Sequence, residues 1–484
     1  MPRTFLIEPK DDATSVIAIH RTDLERWQGR QPPEIRRWIR TCGFEADPHS
    51  VLHLPGDKPA VLVGLGSEVD RWSFAGLPAL LPLGDYQLDG ELNADLATQA
   101  ALGWAIGSYQ FTRYKTPKHA PARLCWPANA DRSAVTRGVN AVSLVRDLIN
   151  TAAADMGPAE LALAAEHLAD EFGAACRTIV GDALLEENYP LVHAVGRASV
   201  RPPRLIDLAW GHVAAPKVTI AGKDVCFDTG GLNLKDPERM LFMKLDMGGA
   251  AHALALARMI MEARLPVRLR VLVPAVENSI GGNATRPLDV VRSRKGLTVE
   301  IGNTDAEGRL ILADALAEAS REQPELLIDF ATLTGAARVA LGPDVTAVFT
   351  NDDVLAAELE QASRASQDPL WRLPLWQPYA RNLEGKVADL TNVADLNLGP
   401  TTMAGAIHAA LFLERFIEPG TKWIHLDIFG WNMKSRPGRP EGGEACNLFA
   451  LFHLLAQRFG RRNTSSKEAR RKFPEREKSF GVNR

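Results

Sequence analysis

Two carboxylates and a guanidinium fall within five positions in the run Asn303-Thr304-Asp305-Ala306-Glu307-Gly308-Arg309-Leu310. A β-rich stretch, Leu297 to Ile301, leads into this run and a helical one leads out of it. Upstream stand Lys223, Asp228, Lys235 and Asp246. Acids and amines gathered at strand ends and glycine turns are what a two-metal hydrolase needs. Two ions roughly 3.5–4 Å apart share bridging carboxylates and hold one water or hydroxide between them. Oxygen-rich ligation with no required His or Cys suits Mn²⁺, Mg²⁺ or Zn²⁺. Lys235 and Arg309 then remain as cations, for a developing oxyanion and an auxiliary anion.

Each of these residues also has a plain structural reading. Asp228 closes the apolar run Val225-Cys226-Phe227 and precedes Thr229-Gly230-Gly231. It either projects from the carboxyl edge of a strand, where open α/β sheets place their sites, or simply starts a turn. Lys223 is five residues earlier, an odd spacing that puts the two on opposite faces of a regular strand. For both to reach one metal the strand must end or twist between them, which Gly222 permits. A lysine amine coordinates only when neutral, and burial beside a dication removes its proton. Otherwise Lys223 is a surface lysine. Asp246, before Met247-Gly248-Gly249, reads alternatively as a helix N-cap. Asp305 and Glu307, two apart, share a face if their segment is extended, or else serve as a turn residue and a first-turn acid. Together, acids this close in a core repel unless a cation neutralises them.

The elements that must position these residues alternate in type. Strands are expected over 59–66, 217–227, 267–276, 298–301, 326–331, 346–350 and 423–429. Helices are expected over 93–111, 131–150, 248–263, 308–322, 354–366, 403–416 and 445–459, with another opening at Gly157-Pro158. Such alternation predicts an α/β protein with a mixed, largely parallel central sheet flanked by helices. The expected units are an N-terminal α/β domain over 1–130, a linking helical region over 131–156, a larger catalytic domain over 157–460 and a basic tail over 461–484. That tail holds nine Lys or Arg against three Glu and reads as a solvated segment.

The length of 484 residues allows two or three domains at roughly 150 residues each. A hydrophobic share of 46% lets them bury large cores. The net charge of −3 gives no global basic excess for nucleic acid or an anionic membrane. Cys42, Cys125, Cys176, Cys226 and Cys446 are few and widely spaced, which fits a reducing compartment. No apolar run reaches the roughly 18 residues of a membrane span and no signal-peptide core follows Met1, so a cytoplasmic protein is expected. H-E-x-x-H, G-x-S-x-G and G-x-x-x-x-G-K-[ST] are all absent, which excludes the corresponding zinc-protease, serine-hydrolase and P-loop readings.

Over roughly residues 140–458 the chain resembles the leucyl (cytosol) aminopeptidases, two-metal exopeptidases. Asn303 to Leu310 matches the signature octapeptide of that family. Phe227-Asp228-Thr229-Gly230-Gly231, Lys235, Asp246-Met247-Gly248-Gly249-Ala250-Ala251, Glu277-Asn278 and Ala331-Thr332-Leu333-Thr334-Gly335-Ala336 stand at its spacings. The resemblance implies release of N-terminal amino acids from peptides by attack of a metal-bridging water or hydroxide. It implies two divalent ions per subunit, Mn²⁺ or Zn²⁺, and a bicarbonate. Lys223, Asp228, Asp246 and Glu307 would hold one ion, and Asp228, Asp305 and Glu307 the other. Lys235 would polarise the scissile carbonyl, and Arg309 would hold the bicarbonate. Met243, Thr332, Leu333 and Gly335 would line the pocket for the first side chain. The implied assembly is a homohexamer.

Departures from the family pattern fall around the substrate rim: Asp224 for glycine, Leu288 for the glycine of Arg-Pro-Gly-Asp, Phe429 and Trp431 in the late strand, and Gly442-Gly443-Glu444-Ala445 in the closing segment. Phe429 and Trp431 either reshape the pocket or are core aromatics. Two other readings are a nucleic-acid-binding relative, supported only by the basic tail, and a scaffold without activity, against which the intact Lys235 and Arg309 argue.

Overall fold

The computed structural model describes residues 5–56, 58–90, 92–394 and 403–460. The run after Pro59 folds as the strand Ala60–Gly66 inside a six-stranded sheet. Thr14–His20 lies parallel to it on one side and Val51–Leu54 antiparallel on the other. Asp85–Leu88, Arg123–Cys125 and Leu6–Ile7 extend the sheet beyond Thr14–His20. The helix Ala94–Gly107, capped by the Asn93 side chain accepting from Leu96 N, contributes the fully buried Trp104 to this first core.

The helix expected from the valine spacing runs Arg132–Asn150, with Asp131 accepting from Ala134 N at its start. Val135, Val139 and Val142 pack against Ala101, Leu102 and Ile106 of the preceding helix. Ala141, Val145, Leu148 and Ile149 join the main core of the second sheet instead. One helix thus serves two sheets with different stripes of its surface.

The second sheet has nine strands. Its order is Leu370–Arg372, Thr346–Thr350, Trp423–Asp427, Leu326–Ala331, Lys217–Gly222, Arg268–Asn278, Arg204–Trp210 and Ala175–Val180, with Asp224–Asp228 paired to the far end of Arg268–Asn278. The centre is parallel, while Arg204–Trp210, Ala175–Val180 and Thr346–Thr350 pair antiparallel to their inner neighbours. Residues alternate between two cores, as the pleat requires. Leu326, Ile328 and Phe330 face the core built with the helix Gly248–Glu262, and Leu327 and Ala331 face the one built with Gly308–Arg321. The fold is the two-domain α/β class read from the sequence, with a mixed, largely parallel central sheet flanked by helices; a three-stranded and a two-stranded sheet complete it among the described residues.

The expected strand 217–227 is corrected. It is two strands, Lys217–Gly222 and Asp224–Asp228, interrupted at Lys223. The Gly248–Glu262 helix crosses at the break so closely that a Cβ on Gly249 would sit 2.3 Å from Phe330 O and 2.9 Å from Lys223 N. Ala250 N donates to Lys223 O and Lys223 N to Phe330 O, at 2.9 and 3.0 Å. Two antiparallel strands, Ala175–Val180 and Arg204–Trp210, were not foreseen. Their alternation is interrupted by Arg177, Arg204 and Asp207, and Arg270 of the neighbouring strand pairs with Asp207 at 2.7 Å. The 461–484 tail lies outside the described residues.

Candidate metal centre and catalytic site

Lys223 and Asp228 reach the same place because the second half of the broken strand carries an irregularity. Val225 registers with Val276 but Asp228 with Asn278, so one extra residue is accommodated between them. A single-residue bulge inverts the facing of everything beyond it. The odd spacing thereby becomes compatible with one site. Two devices act here: the strand ends at Gly222, as the sequence permits, and a bulge follows between Val225 and Asp228. Gly230 and Gly231 follow with φ of +87° and +63°, turning the chain back beside Asp305 and Thr304. Such angles suit glycine because no Cβ clashes.

Asp305 and Glu307 do not share an extended face. Asn303–Ala306 is a turn, with Ala306 N donating to Asn303 O at 3.2 Å, and Glu307 already has helical angles. The tight turn nonetheless brings both carboxylates to Asp228. Ligand oxygens of Asp228, Asp305 and Glu307 lie within 4.8 Å of one another. Asp246 arrives from the short 3₁₀ turn Met243–Met247 and does not cap the following helix. It joins the group through Lys223, whose ammonium contacts Asp246 Oδ1 directly, Glu307 Oε1 at 3.9 Å and Thr332 O at 3.3 Å. Lys235 Nζ lies 2.6 Å from Asp228 Oδ2 and 2.5 Å from Asp305 Oδ1.

The electrostatics are those of acids crowded out of water. Burial, then Asp228, raise the carboxyl of Glu307 well above its ordinary range, and the same two causes raise Asp305. Burial pushes Asp246 up to about 6 against the pull of Lys223. Burial disfavours the Lys235 ammonium, but Asp228, Glu307 and Asp305 outweigh it and hold the proton on more firmly than usual. Burial brings Arg309 down to about 10. Asp246 Oδ2 is buried without a hydrogen-bond partner, as is Arg309 Nε. Clustered carboxylates with an open oxygen form a donor set that fits hard divalent cations.

The pocket residues named from resemblance lie next to these acids. Thr332 Oγ1 donates to Asp246 Oδ1 at 2.8 Å. Leu333 Cδ1 approaches Gly308 closely enough that a Cβ there would be 3.2 Å away. Gly335 opens the helix Gly335–Leu341, and Met243 opens the turn that carries Asp246. Three residues take positioning roles that the sequence did not assign, although Asn278 stands in the Glu277-Asn278 motif. Asn278 Nδ2 donates to Asp228 Oδ1 and Thr304 O, at 2.8 and 3.0 Å. Asn392 accepts from Arg309 Nη1 through its carbonyl and from Gly302 N through its side chain, at 2.8 and 2.7 Å. Asp427 accepts from Leu333 N and Thr334 N, at 3.1 and 3.0 Å. Asn278 had a signal, a polar residue ending an apolar strand, whereas Asn392 and Asp427 act across more than eighty residues and had none.

The profile described as cytosol aminopeptidase family, catalytic domain, matches residues 143–451, and the M17 aminopeptidase N-terminal domain matches residues 15–127. The chain belongs to the cytosol aminopeptidase family. A probable cytosol aminopeptidase of Roseiflexus castenholzii is 38% identical over 410 residues, 80% of each chain. The crystal structure of a cytosol aminopeptidase from Coxiella burnetii superposes with a TM-score of 0.90 at 49% identity, covering 94% of this chain and 99% of that one. The bottromycin maturation enzyme BotP in complex with Mn is also similar, with a TM-score of 0.81 at 33% identity, covering 92% of this chain and 99% of that one. As a member of this family the protein is a metal-dependent aminopeptidase, a hydrolase acting on peptides.

The departures from the family pattern now have locations. Asp224 is fully buried and accepts from Cys226 Sγ at 3.2 Å. Trp431 is buried, its ring centroid 6.1 Å from that of Phe242. Phe429 is half-buried under Arg338, whose guanidinium carbon is 4.7 Å from the ring centroid. Gly442–Gly443 pairs with Trp431–Asn432, and Glu444 forms a buried ion pair with Arg146. Leu288 takes φ of +69° where the family commonly has glycine.

Proposed function

We propose that the acid cluster holds two divalent ions, Mn²⁺ or Zn²⁺, and removes the N-terminal residue of peptides. Lys223, Asp228, Asp246 and Glu307 would hold one ion, and Asp228, Asp305 and Glu307 the other. The observation that carries this reading is the buried convergence of these four acids, with one Asp246 oxygen left open. The Mn complex of BotP supports the choice of metal. When bound, the ion pair supplies Lewis acidity and a water acidified enough to act as nucleophile near neutral pH.

This chain's residues supply the rest. Lys235, anchored by two acids and firmly protonated, donates to the carbonyl oxygen as it gains charge. Arg309 is fixed at one end by Asn392 and carries a free Nε–H, which suits it to hold bicarbonate as a local proton acceptor. Met243, Thr332, Leu333 and Gly335 line the first side-chain pocket, with the loop 333–334 held by Asp427. The α-amine is drawn to the acidic, metal-holding end, which restricts cleavage to chain ends.

The units 1–130, 131–156, 157–460 and 461–484 are proposed as the domain plan, supported by the two separate sheets and by the helix shared between their cores. A cytoplasmic homohexamer is proposed from the family likeness, and the five unpaired cysteines fit the compartment. No helix among the described residues is long and apolar enough to cross a membrane. The nucleic-acid alternative has no support in these relatives.

The test is release of an amino acid from free-amine peptides or amino-acid arylamides. Chelation should abolish turnover, and Mn²⁺ or Zn²⁺ should restore it. Metal-loaded protein that cleaves nothing across a broad free-amine panel would overturn the proposal.

A further inference from the structure

We propose that the Arg338–Phe429 pair reads the substrate's first side chain and favours N-terminal aspartate and glutamate over bulky neutral residues. The inference rests on the aminopeptidase reading above and adds a substrate class to it. Phe429 follows Trp423–Asp427, which pairs in parallel with Leu326–Ala331 in the register Ala331–Asp427. Ile428 N still donates to Ala331 O at 2.8 Å. Phe429 therefore leaves the sheet just past the edge where Asp427 pins Leu333 and Thr334, and its ring packs on the core that also holds Leu245, Met247 and Trp431. The aromatic ring stands where the family commonly has alanine, so it adds bulk at this edge.

Arg338 covers this ring from the helix Gly335–Leu341, one turn beyond Gly335. It is exposed, and among the described residues it forms no ion pair and none of its side-chain N–H groups is engaged. Its helix, Gly-Ala-Ala-Arg-Val-Ala-Leu, carries no acid. Asp344, just beyond, is already paired with Arg436 and Arg439 at 2.7 and 3.2 Å, and Asp427 is filled by the 333–334 loop. A guanidinium over an aromatic ring keeps its N–H fork available for a carboxylate in two-pronged geometry. The ring restricts length and the fork supplies charge. A first residue with a short acidic side chain satisfies both.

The experiment compares kcat/KM for Asp-, Glu-, Ala-, Leu- and Phe-p-nitroanilide on the metal-loaded full chain. The wild type should prefer Glu or Asp over Leu by at least about tenfold. Arg338→Gln should collapse the acid-to-leucine ratio by about tenfold, and Arg338→Lys should recover part of it. Phe429→Ala should raise Leu and Phe relative to Ala. The acid preference should also weaken with added salt, because a rim charge is screened. An acid-to-leucine ratio in Arg338→Gln within twofold of wild type would overturn the proposal while leaving the aminopeptidase reading intact. Failure of every substrate in the panel would instead remove the reading beneath it. Arg338 is exposed, so the Gln variant should fold, and its melting temperature provides the check.

Discussion

Asp314 and Asp246 are both shut away from water, yet their surroundings differ in kind. Asp314 lies in the Gly308–Arg321 helix, and its two oxygens accept from the backbone N–H groups of Leu191, Val192 and Arg294, at 2.8, 3.4 and 2.8 Å. Asp246 has one oxygen shared between Lys223 and Thr332 and the other with no hydrogen-bond partner. The first acid stitches a helix to two neighbouring segments. The second is half used, and three further carboxylates stand close by. A buried polar group is normally paired because leaving it unpaired costs about 1–3 kcal/mol. An acid whose capacity is filled by backbone is architecture. One whose capacity is open, among other acids, is waiting for a ligand.

The contrast breaks most visibly through the open cluster. Lys235→Ala should lower turnover by orders of magnitude, since losing one preorganised oxyanion donor costs about 3–4 kcal/mol in the barrier. Glu307→Ala should do the same by removing a shared ligand. Glu307→Ala should not unfold the protein, because it deletes a charge from a crowded group that burial already disfavours. Lys235→Ala removes a cation that the neighbouring acids favour, so its fold is checked on the metal-loaded protein, where bound ions neutralise those acids. The expected result is a kcat/KM loss of about a hundredfold or more with the circular dichroism spectrum unchanged. Near-normal turnover in either variant would refute the assigned roles.

Asp314→Ala should show the opposite pattern. It orphans three backbone N–H groups and should destabilise the fold by about 3 kcal/mol, while metal-loaded molecules that remain folded keep their kcat. Its pH dependence has a definite sign. Burial lifts the Asp314 carboxyl to about 7, against about 3.9 in an unfolded chain. The folded state therefore binds the extra proton between these values. The contribution is fully present below about pH 4 and is lost as pH rises through about 7. Denaturant titrations of wild type and Asp314→Ala should differ in slope against pH across that window. Parallel curves would show that Asp314 keeps an ordinary affinity for its proton.

Much of this was legible in the sequence, and the parts that were not share a cause. The strand Leu326–Ala331 and the helices at 132–150 and 308–321 were read almost to the residue, because apolar period and capping residues act locally. The acids were read from their types and spacing. What spacing alone misread was facing. The Asn303–Ala306 turn is local, with Asp305 N donating to Asn303 Oδ1, and matches the turn alternative read from the sequence. The bulge between Val225 and Asp228, by contrast, is set by pairing with the strand Arg268–Asn278, and it decides whether Asp228 meets Lys223. Asn392 and Asp427 were invisible for the same reason, since their importance is fixed by the Arg309 side chain and the 333–334 loop across the fold.

The smallest effect tests whether local imperfection near the site always signals function. Leu288 has φ of +69°, a left-handed conformation that costs a residue with a Cβ about 1–2 kcal/mol. Its side chain is 65% exposed, so little burial compensates. Its N–H donates to Ile301 O at 2.7 Å, two residues ahead of Asn303, and glycine would keep that bond. Leu288→Gly removes the clash but gives the unfolded chain more freedom, which returns about 0.5–1 kcal/mol. The net expectation is a stabilisation of about 0.5–1 kcal/mol by chemical denaturation. Leu288→Ala should give none, because alanine keeps the Cβ. If Leu288→Gly stabilises without altering kcat/KM, the strain is tolerated rather than used, unlike the open oxygen of Asp246. If kcat/KM falls as stability rises, the strained turn holds the Asn303 loop in its working shape, and backbone conformation joins unfilled carboxylates as a mark of the site.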